Sequence, residues 1–494
     1  MKKAIVIGAG IAGLATCLRL IKKGYQVTVV EKNSYTGGKL HALEQDGYRF
    51  DLGPSLFTMP EFLLELFELH GENAADYFKY SKKEVICHYF WQDGTRFNAP
   101  ANLDLWIQKA ALFFNESEDI LKKYLEQSER KYNITAPIFI EKSLHDYKTY
   151  LSLKTLKGIL NIGHLHIFKT LSAYHDKLFT NKKLKQYFNR FATYNGSSPY
   201  KTSAIMSMIP HLEMQKGTYF PKEGMHSIGQ SLYKLALKKG VLFLLNTETT
   251  EILIRDKKAV GVLIKETEEQ NTKEIYADVV ISNSDVFNTY ESLLPCVKTP
   301  NKIKNQERSS SGLIFYWGVK KVFPELDLHN IFFCEDYKEE FKAIFQNKTL
   351  PEDPTIYINI SSKEKPSDAP CGSENWFVMI NAPACENQDW EQLKKIAKET
   401  LLKKLSKYLS TDIASLIETE YILDPIGIQQ QTASHRGSLY GTSSNNTTAA
   451  FLRQSNKASQ IKNLYFCGGS AHPGGGIPLC LQSAKIVSQL IPTA

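Results

Sequence analysis

Apolar positions in the first thirty residues fall into runs of two different periods. Ala4 to Ile7 is a short, mostly β-branched run, and Tyr25 to Val30 is a second. Between them, Leu14 to Lys23 carries apolar residues at helical spacing and stops at Gly24. This order predicts strand, helix, strand, the length of one βαβ unit. From about Asn102 to Arg190 the texture changes to long amphipathic stretches with few glycines, which predict a mainly helical insertion. Strand patterns return at Val241 to Leu245, at Glu251 to Ile254 and at Ala277 to Ser282. Asp256-Lys-Lys258 turns the second of these into Ala259 to Ile264, a hairpin. A second strand-rich block spans Ser311 to Ala382, with runs at Leu313 to Trp317, Thr355 to Ile360 and Trp376 to Ile380, before a helix over Asp389 to Leu409.

A length of 494 residues predicts two or three structural units. Apolar and charged fractions of 43% and 23% are ordinary for a folded chain. The net charge of +8 is mild for this length, which argues against a dedicated nucleic-acid binder and leaves room for an anionic membrane surface. Eight cysteines are scattered without a CxxC pair, so the spacing predicts no metal site and reduced thiols in a cytoplasmic setting. Met1-Lys2-Lys3 precedes an apolar run, but glycines interrupt it, and the residues read as a first strand rather than a cleaved leader. No apolar stretch approaches the ~20 residues of a spanning helix.

The candidate chemistry begins at Gly8-Ala9-Gly10-Ile11-Ala12-Gly13. The first glycine permits a tight turn, the second a close approach to a pyrophosphate, and the third helix-on-strand packing. The following helix N-terminus supplies amide donors for phosphate oxygens. Glu31 lies at the end of the second strand, where a carboxylate accepts ribose hydroxyls. Lys32 follows it, then Gly37-Gly38-Lys39 and Asp51-Leu-Gly53-Pro54-Ser55. A glycine pair before a cation brings backbone close to a cofactor while the cation faces its phosphates.

These paired N-terminal motifs resemble the amine-oxidase-like flavoprotein superfamily. The C-terminal run Asn463-Leu-Tyr-Phe-Cys-Gly468-Gly469-Ser-Ala-His472-Pro473-Gly474-Gly475-Gly476-Ile477-Pro478 looks like the closing motif of the bacterial carotenoid desaturases. Phe220-Pro-Lys-Glu-Gly224-Met225 resembles the family's central Pro-Lys-Gly-Gly-Met motif, with Glu223 replacing its first glycine. Asn246-Thr-Glu-Thr249 and Ala277 to Asp285, which includes Asn283, match further family blocks, and Lys39 stands where arginine is usual. The resemblance implies an α/β fold: a discontinuous Rossmann-like FAD-binding domain, a β-sheet substrate domain and a helical, membrane-facing insertion. The corresponding segments are 1–100, 215–290 and 431–494 for FAD, 101–214 for the insertion, and 291–430 for substrate. It also implies that Gly468 and Gly469 lie near the pyrophosphate and ribityl chain, that Thr249 lies at the adenine, and that Gly476, Ile477 and Pro478 lie at the isoalloxazine.

Leu328-His329-Asn330-Ile-Phe332, Asp353 to Tyr357 and Glu374 to Asn381 look more like hydroxycarotenoid 3,4-desaturases than phytoene desaturases. The implied reaction is FAD-dependent introduction of a C3–C4 double bond into the acyclic end of a 1'-hydroxycarotenoid, by hydride transfer to flavin N5. Desaturation of phytoene or another early carotene is the alternative, and a non-catalytic prenyl-lipid escort on the same scaffold is a further one. His329 reads equally as a satisfied structural histidine or as a grip on substrate hydroxyl. No triad, metal cluster or carboxylate pair stands out, and no general base is assigned. The electron acceptor, oxygen or a quinone, is not selected by the sequence.

Between Lys142 and Arg190, nine lysines and one arginine face only Asp146 and Asp176, with Tyr, Phe, Leu and Ile interleaved. Two readings stand: a solvated helical surface, or a monotopic contact in which cations meet headgroups and apolar side chains enter the interface. With a water-insoluble substrate, the second predicts a cytoplasmic protein held on the inner face of the cell membrane. No recognition module for nucleic acid accompanies the charge.

Overall fold

The computed structural model describes residues 1–150, 162–266, 271–446 and 453–494. Its first sheet is five-stranded and wholly parallel: β1 (Lys3–Ile7), β2 (Gln26–Val30), β3 (Leu242–Leu244), β4 (Val279–Ser282) and β5 (Leu464–Phe466), in the order β5-β4-β1-β2-β3. Three parts of the chain that are distant in sequence thus meet in one sheet. Side chains of β1 alternate between two cores. Ala4 and Val6 pack with helix α1 (Ile11–Lys22), helix α2 (Ile477–Leu490) and the helix His226–Lys238. Ile5 and Ile7 pack with Ile252, Val262 and Ile264 of a three-stranded antiparallel sheet. Covering both faces explains why β1 reads as a continuous apolar run.

The second large sheet has seven strands in the order 417–423, 311–319, 374–382, 356–359, 329–332, 85–90 and 96–100. Its pairs are antiparallel except that 329–332 runs parallel to 85–90. Leu313, Phe315 and Trp317 turn to the helix Trp390–Leu409, where Leu401 and Leu405 meet them. The alternate residues Ile314, Phe377 and Met379 face inward and line a cavity. The helical segment, including Leu103–Phe114, Glu118–Thr135 and Lys182–Asn189, closes over that cavity through a core containing Trp106, Leu121, Tyr187 and Phe188.

Three expectations change. Val85–Phe90 and Arg96–Pro100, grouped by sequence with the first nucleotide-binding segment, form one edge of the seven-stranded sheet. Their place is set by long-range pairing, with Phe90 stacked on Phe332 at 4.4 Å. The expected hairpin gains a third strand, Thr272–Tyr276, which lies at the edge and is almost wholly exposed, so it has no apolar alternation to read. Finally, most aromatics of the basic stretch are core rather than interface: Tyr174, Phe179, Tyr187 and Phe188 are buried. Arg190 is buried too, and residues 151–161 of that stretch lie outside the described residues.

Candidate active site

Gly8 closes β1 with φ of +92°, and its amide donates to the Val30 carbonyl at 2.7 Å. That bond ties the turn to β2. Gly10 is the N-cap of α1, and a Cβ there would stand 2.8 Å from Nδ2 of Asn283. On Gly13 a Cβ would stand 2.2 Å from the Gly8 carbonyl oxygen, so that glycine is required for packing behind the turn. Gly8, Gly10, Ile11 and Ala12 line the cavity, with the first amides of α1 at its wall. Ala9 turns its amide to Glu31 instead, donating to Oε2 at 2.7 Å.

The Glu31 carboxylate is buried, and its Oε1 accepts the Asn33 amide at 2.9 Å. Each oxygen has one such partner and keeps a lone pair for a ligand hydroxyl. Lys32 also borders the cavity, but its Nζ donates to the Gln430 carbonyl at 2.5 Å, so its charge is engaged there. Thr249 lines the same end, and its buried hydroxyl has no protein partner. Asn283 sits between both glycine segments: its Nδ2 donates to Gly8 O at 3.4 Å, and a Cβ on Gly468 would meet its Oδ1 at 2.9 Å.

Gly37 and Gly38 have φ of +105° and +61°. The Gly37 amide donates to the Ala9 carbonyl at 2.9 Å, which lays the glycine pair along the first turn. Lys39 borders the cavity, where its Nζ donates to the carbonyls of Leu439 at 2.9 Å and Ser438 at 3.3 Å. Burial lowers its pKa to about 8, against the opposing pull of Asp285 and Cys480. Gly53 has no room for a side chain, since a Cβ would lie 1.8 Å from the Lys39 carbonyl oxygen. Gly53, Pro54 and Ser55 all line the cavity. Asp51 just before them accepts the amides of Met225 and His226, each at 2.9 Å. The central motif therefore positions the 51–55 loop, while its replacement Glu223 points outward to Lys365 at 3.7 Å.

At the C-terminus, Gly468, Gly469, Gly476, Ile477 and Pro478 border the cavity. Gly476 caps α2 with φ of +103°, and no atom lies within 4 Å of where its Cβ would be. Open space there, amides at two helix starts, an acid with free lone pairs and an orphan hydroxyl at Thr249 fit a flavin dinucleotide. The cavity volume of about 810 Å³ is continuous from Glu31 to the inner face of the large sheet.

Sequence reasoning missed the segment 428–441 and Arg453. Leu439, Tyr440 and Gly441 complete the wall opposite Lys39, and the Arg453 guanidinium donates to the carbonyls of Tyr440 at 3.0 Å and Gly469 at 3.3 Å. Burial lowers the Arg453 pKa to about 10. Nothing in local spacing signals either, because both act through contacts made after folding.

The far half of the cavity is apolar and aromatic, with Ile314, Ile331, Phe377 and Met379 in its wall. Polar groups are few and paired. Arg190 meets Glu213 at 2.5 Å, with Tyr89 and Tyr194 bonded to the same pair. His329 Nδ1 and the Tyr357 hydroxyl are hydrogen-bonded at 2.7 Å, and that hydroxyl meets Ser55 Oγ at 2.7 Å. Burial lowers the His329 pKa to about 4, with Asp327 opposing, so the ring is neutral. One of its nitrogens is thus satisfied and the other, Nε2, has no partner.

Fold and site together define a flavin-dependent oxidoreductase. The family described as flavin containing amine oxidoreductase matches residues 11–492, and the chain belongs to it. Over 492 residues the chain is 57% identical to a 1-hydroxycarotenoid 3,4-desaturase of Flavobacterium sp. (strain P99-3), covering 100% of this chain and 99% of that protein. A phytoene desaturase of Fusarium fujikuroi is 31% identical, with coverage of 99% and 89%. Among solved structures, an oxidoreductase from Methanosarcina mazei shares the fold with a TM-score of 0.65 at 16% identity, covering 99% of this chain and 100% of that one. The cofactor is FAD, in agreement with the family and with the dinucleotide-shaped site. Among the described residues no helix is long and apolar enough to cross a membrane.

Proposed function

We propose that this protein is an FAD-dependent desaturase that forms the C3–C4 double bond at the hydroxylated, acyclic end of a 1-hydroxycarotenoid. The observation that carries the reading is 57% identity across the full chain to an enzyme of that name, against 31% to a phytoene desaturase. In this reading Glu31 holds the ribose hydroxyls, and the amides following Gly10 meet the pyrophosphate. Gly37, Gly38, Lys39 and Gly468 flank the phosphates and ribityl chain, Thr249 meets the adenine, and the N-terminus of α2 meets the isoalloxazine. FAD, when bound, supplies a two-electron hydride acceptor. The chain's own contribution is to hold the polyene aligned and dry along Ile314, Phe377 and Met379. Segments 1–84, 215–290 and 431–494 serve the cofactor, 85–100 and 291–430 the substrate, and 101–214 the access route.

The proposal extends to a peripheral position on the inner face of the cell membrane. Leu112 and Phe168 are 86% and 89% exposed on the helical segment, where Lys109 and Lys169 lie near them in sequence. Large apolar side chains beside cations suit an anionic bilayer interface.

Anaerobic holoenzyme incubated with hydroxylated and non-hydroxylated carotenes tests the reading by polyene absorption. A red shift confined to the hydroxylated substrate is expected. Equal turnover of both, or protein that neither carries flavin nor gains activity with FAD, contradicts it.

A further inference from the structure

Tyr357 is the one residue of its strand, Ile356–Asn359, that is not fully buried, and it lines the cavity together with Ser55. The direction of the hydrogen bonds through it follows from His329. Asn359 donates one amide hydrogen to the Leu328 carbonyl at 3.0 Å, which fixes that amide's orientation. The same Nδ2 lies 3.3 Å from His329 Nδ1 and can only donate, so Nδ1 carries a lone pair. In a neutral ring the proton is then on Nε2. That single Nδ1 lone pair goes to the nearer donor, the Tyr357 hydroxyl at 2.7 Å rather than Asn359 at 3.3 Å, and the Tyr357 oxygen then accepts from Ser55. Both hydroxyl hydrogens are committed within the chain from Ser55 through Tyr357 to His329. What the Ser55–Tyr357 pair leaves open is oxygen lone pairs alone.

From this polarity we infer that Ser55 and Tyr357 form an alcohol-recognition site, which accepts a hydrogen bond from the O–H group of the substrate. His329 acts as a positioning residue that sets the direction of the chain. A site that presents only acceptors is matched by an alcohol, whereas an ether or a hydrocarbon brings no hydrogen to it. Packing does not explain the arrangement. The Tyr357 ring is in place between His329 and Phe377, each at a centroid distance of 6.0 Å, and a phenylalanine would fill that space. The chain instead carries a buried His329 Nε2 with no partner, a cost to stability. Its location is also apt. Ser55 adjoins Gly53 and Pro54, at the boundary between cofactor loop and substrate sheet. In a 1-hydroxycarotenoid the hydroxyl is two carbons from the 3,4 bond, so the group recognised and the carbons that react belong at the same end of the cavity. The inference rests on the desaturase reading for the identity of the alcohol.

Binding to holoenzyme with reduced flavin, which cannot take a hydride, tests it without turnover. The probes are a tertiary-alcohol polyene, its methyl ether and the parent hydrocarbon, followed by the shift in polyene absorption. Wild type is expected to bind the alcohol about tenfold more tightly than either other probe, the worth of one neutral hydrogen bond. Tyr357→Phe and Ser55→Ala are expected to bring the three affinities within about twofold. His329→Leu combined with Tyr357→Phe should lose no more preference than Tyr357→Phe alone, because the two act as one chain. Equal affinities in wild type, or a preference retained in both Tyr357→Phe and Ser55→Ala, overturn the site. If oxidised wild type leaves the hydroxylated polyene unchanged, the desaturase reading fails separately, whatever the binding shows.

Discussion

The Glu31 carboxylate takes the amide of Ala9 at 2.7 Å, which fixes the acid at the end of β2 onto the glycine turn at the end of β1. The same carboxylate accepts from Asn33 at 2.9 Å. The acid thus holds its own loop while keeping lone pairs for the ribose that the proposed reading places there.

Glu31→Gln keeps the size of the side chain and removes the charge that strengthens each of these bonds. A hydrogen bond to a charged group contributes roughly 1.5–3 kcal/mol, so FAD affinity should fall by about 10- to 100-fold. Flavin fluorescence titration of apoprotein reads this directly. An affinity within twofold of wild type would remove Glu31 from the site.

If Lys39 faces the phosphates as proposed, FAD binding should depend on pH. Burial depresses its pKa to about 8 in the ligand-free fold, below the ordinary lysine value. Anionic phosphates nearby raise it again, so the complex holds a proton that the free protein has lost above about pH 8. Affinity for FAD should be flat below that pH and fall as pH rises through it, and the fall should vanish in Lys39→Met. The sign for stability of the apoprotein is opposite: the unfolded chain holds the proton to higher pH, so stability rises from about pH 8 upward. Titrations from pH 7 to 10 with both proteins decide it; parallel profiles count against the assignment.

Arg190 and Glu213 form an ion pair at 2.5 Å whose side chains are 7% and 2% exposed. Removing one partner strands a buried charge. Arg190→Met alone should destabilise by about 3–5 kcal/mol, while Arg190→Met with Glu213→Leu should recover much of that loss. Urea unfolding of the three proteins measures both, and additive losses would contradict the pairing.

Leu112 and Phe168 should carry membrane attachment. Transfer of each into the interface contributes roughly 1.5–3 kcal/mol, and replacing both by aspartate should cut co-sedimentation with phosphatidylglycerol vesicles by at least about tenfold. Thermal unfolding should be unchanged, since neither residue is packed. Undiminished sedimentation would refute the surface.

How much of this was legible in the sequence follows from what was local. The turn at Gly8, Gly10 and Gly13, the acid at Glu31 and the glycines at 37 and 38 are close in sequence, and backbone sterics dictate those residue types wherever such a turn forms. The strand Thr272–Tyr276 escaped because all its residues but the half-buried Ile275 are exposed and no apolar period marks it. The basic, aromatic stretch misled for the converse reason: lysine and aromatic residues alternate alike on a membrane surface and in a helical core, and only packing buried Tyr187, Phe188 and Arg190.

By itself, then, the sequence determined the dinucleotide turn, the parallel βαβ unit and the family resemblance, because these depend on short-range geometry and on the periods of apolar residues. Tertiary structure decided what depends on the meeting of distant segments. It brought Arg453 and Tyr440 to the cofactor wall, set Asn283 between two glycine loops, and joined Ser55 through Tyr357 to His329 across 302 and 28 residues of chain. Hydrogen-bond direction is a property of such a junction, and no spacing along the chain encodes it.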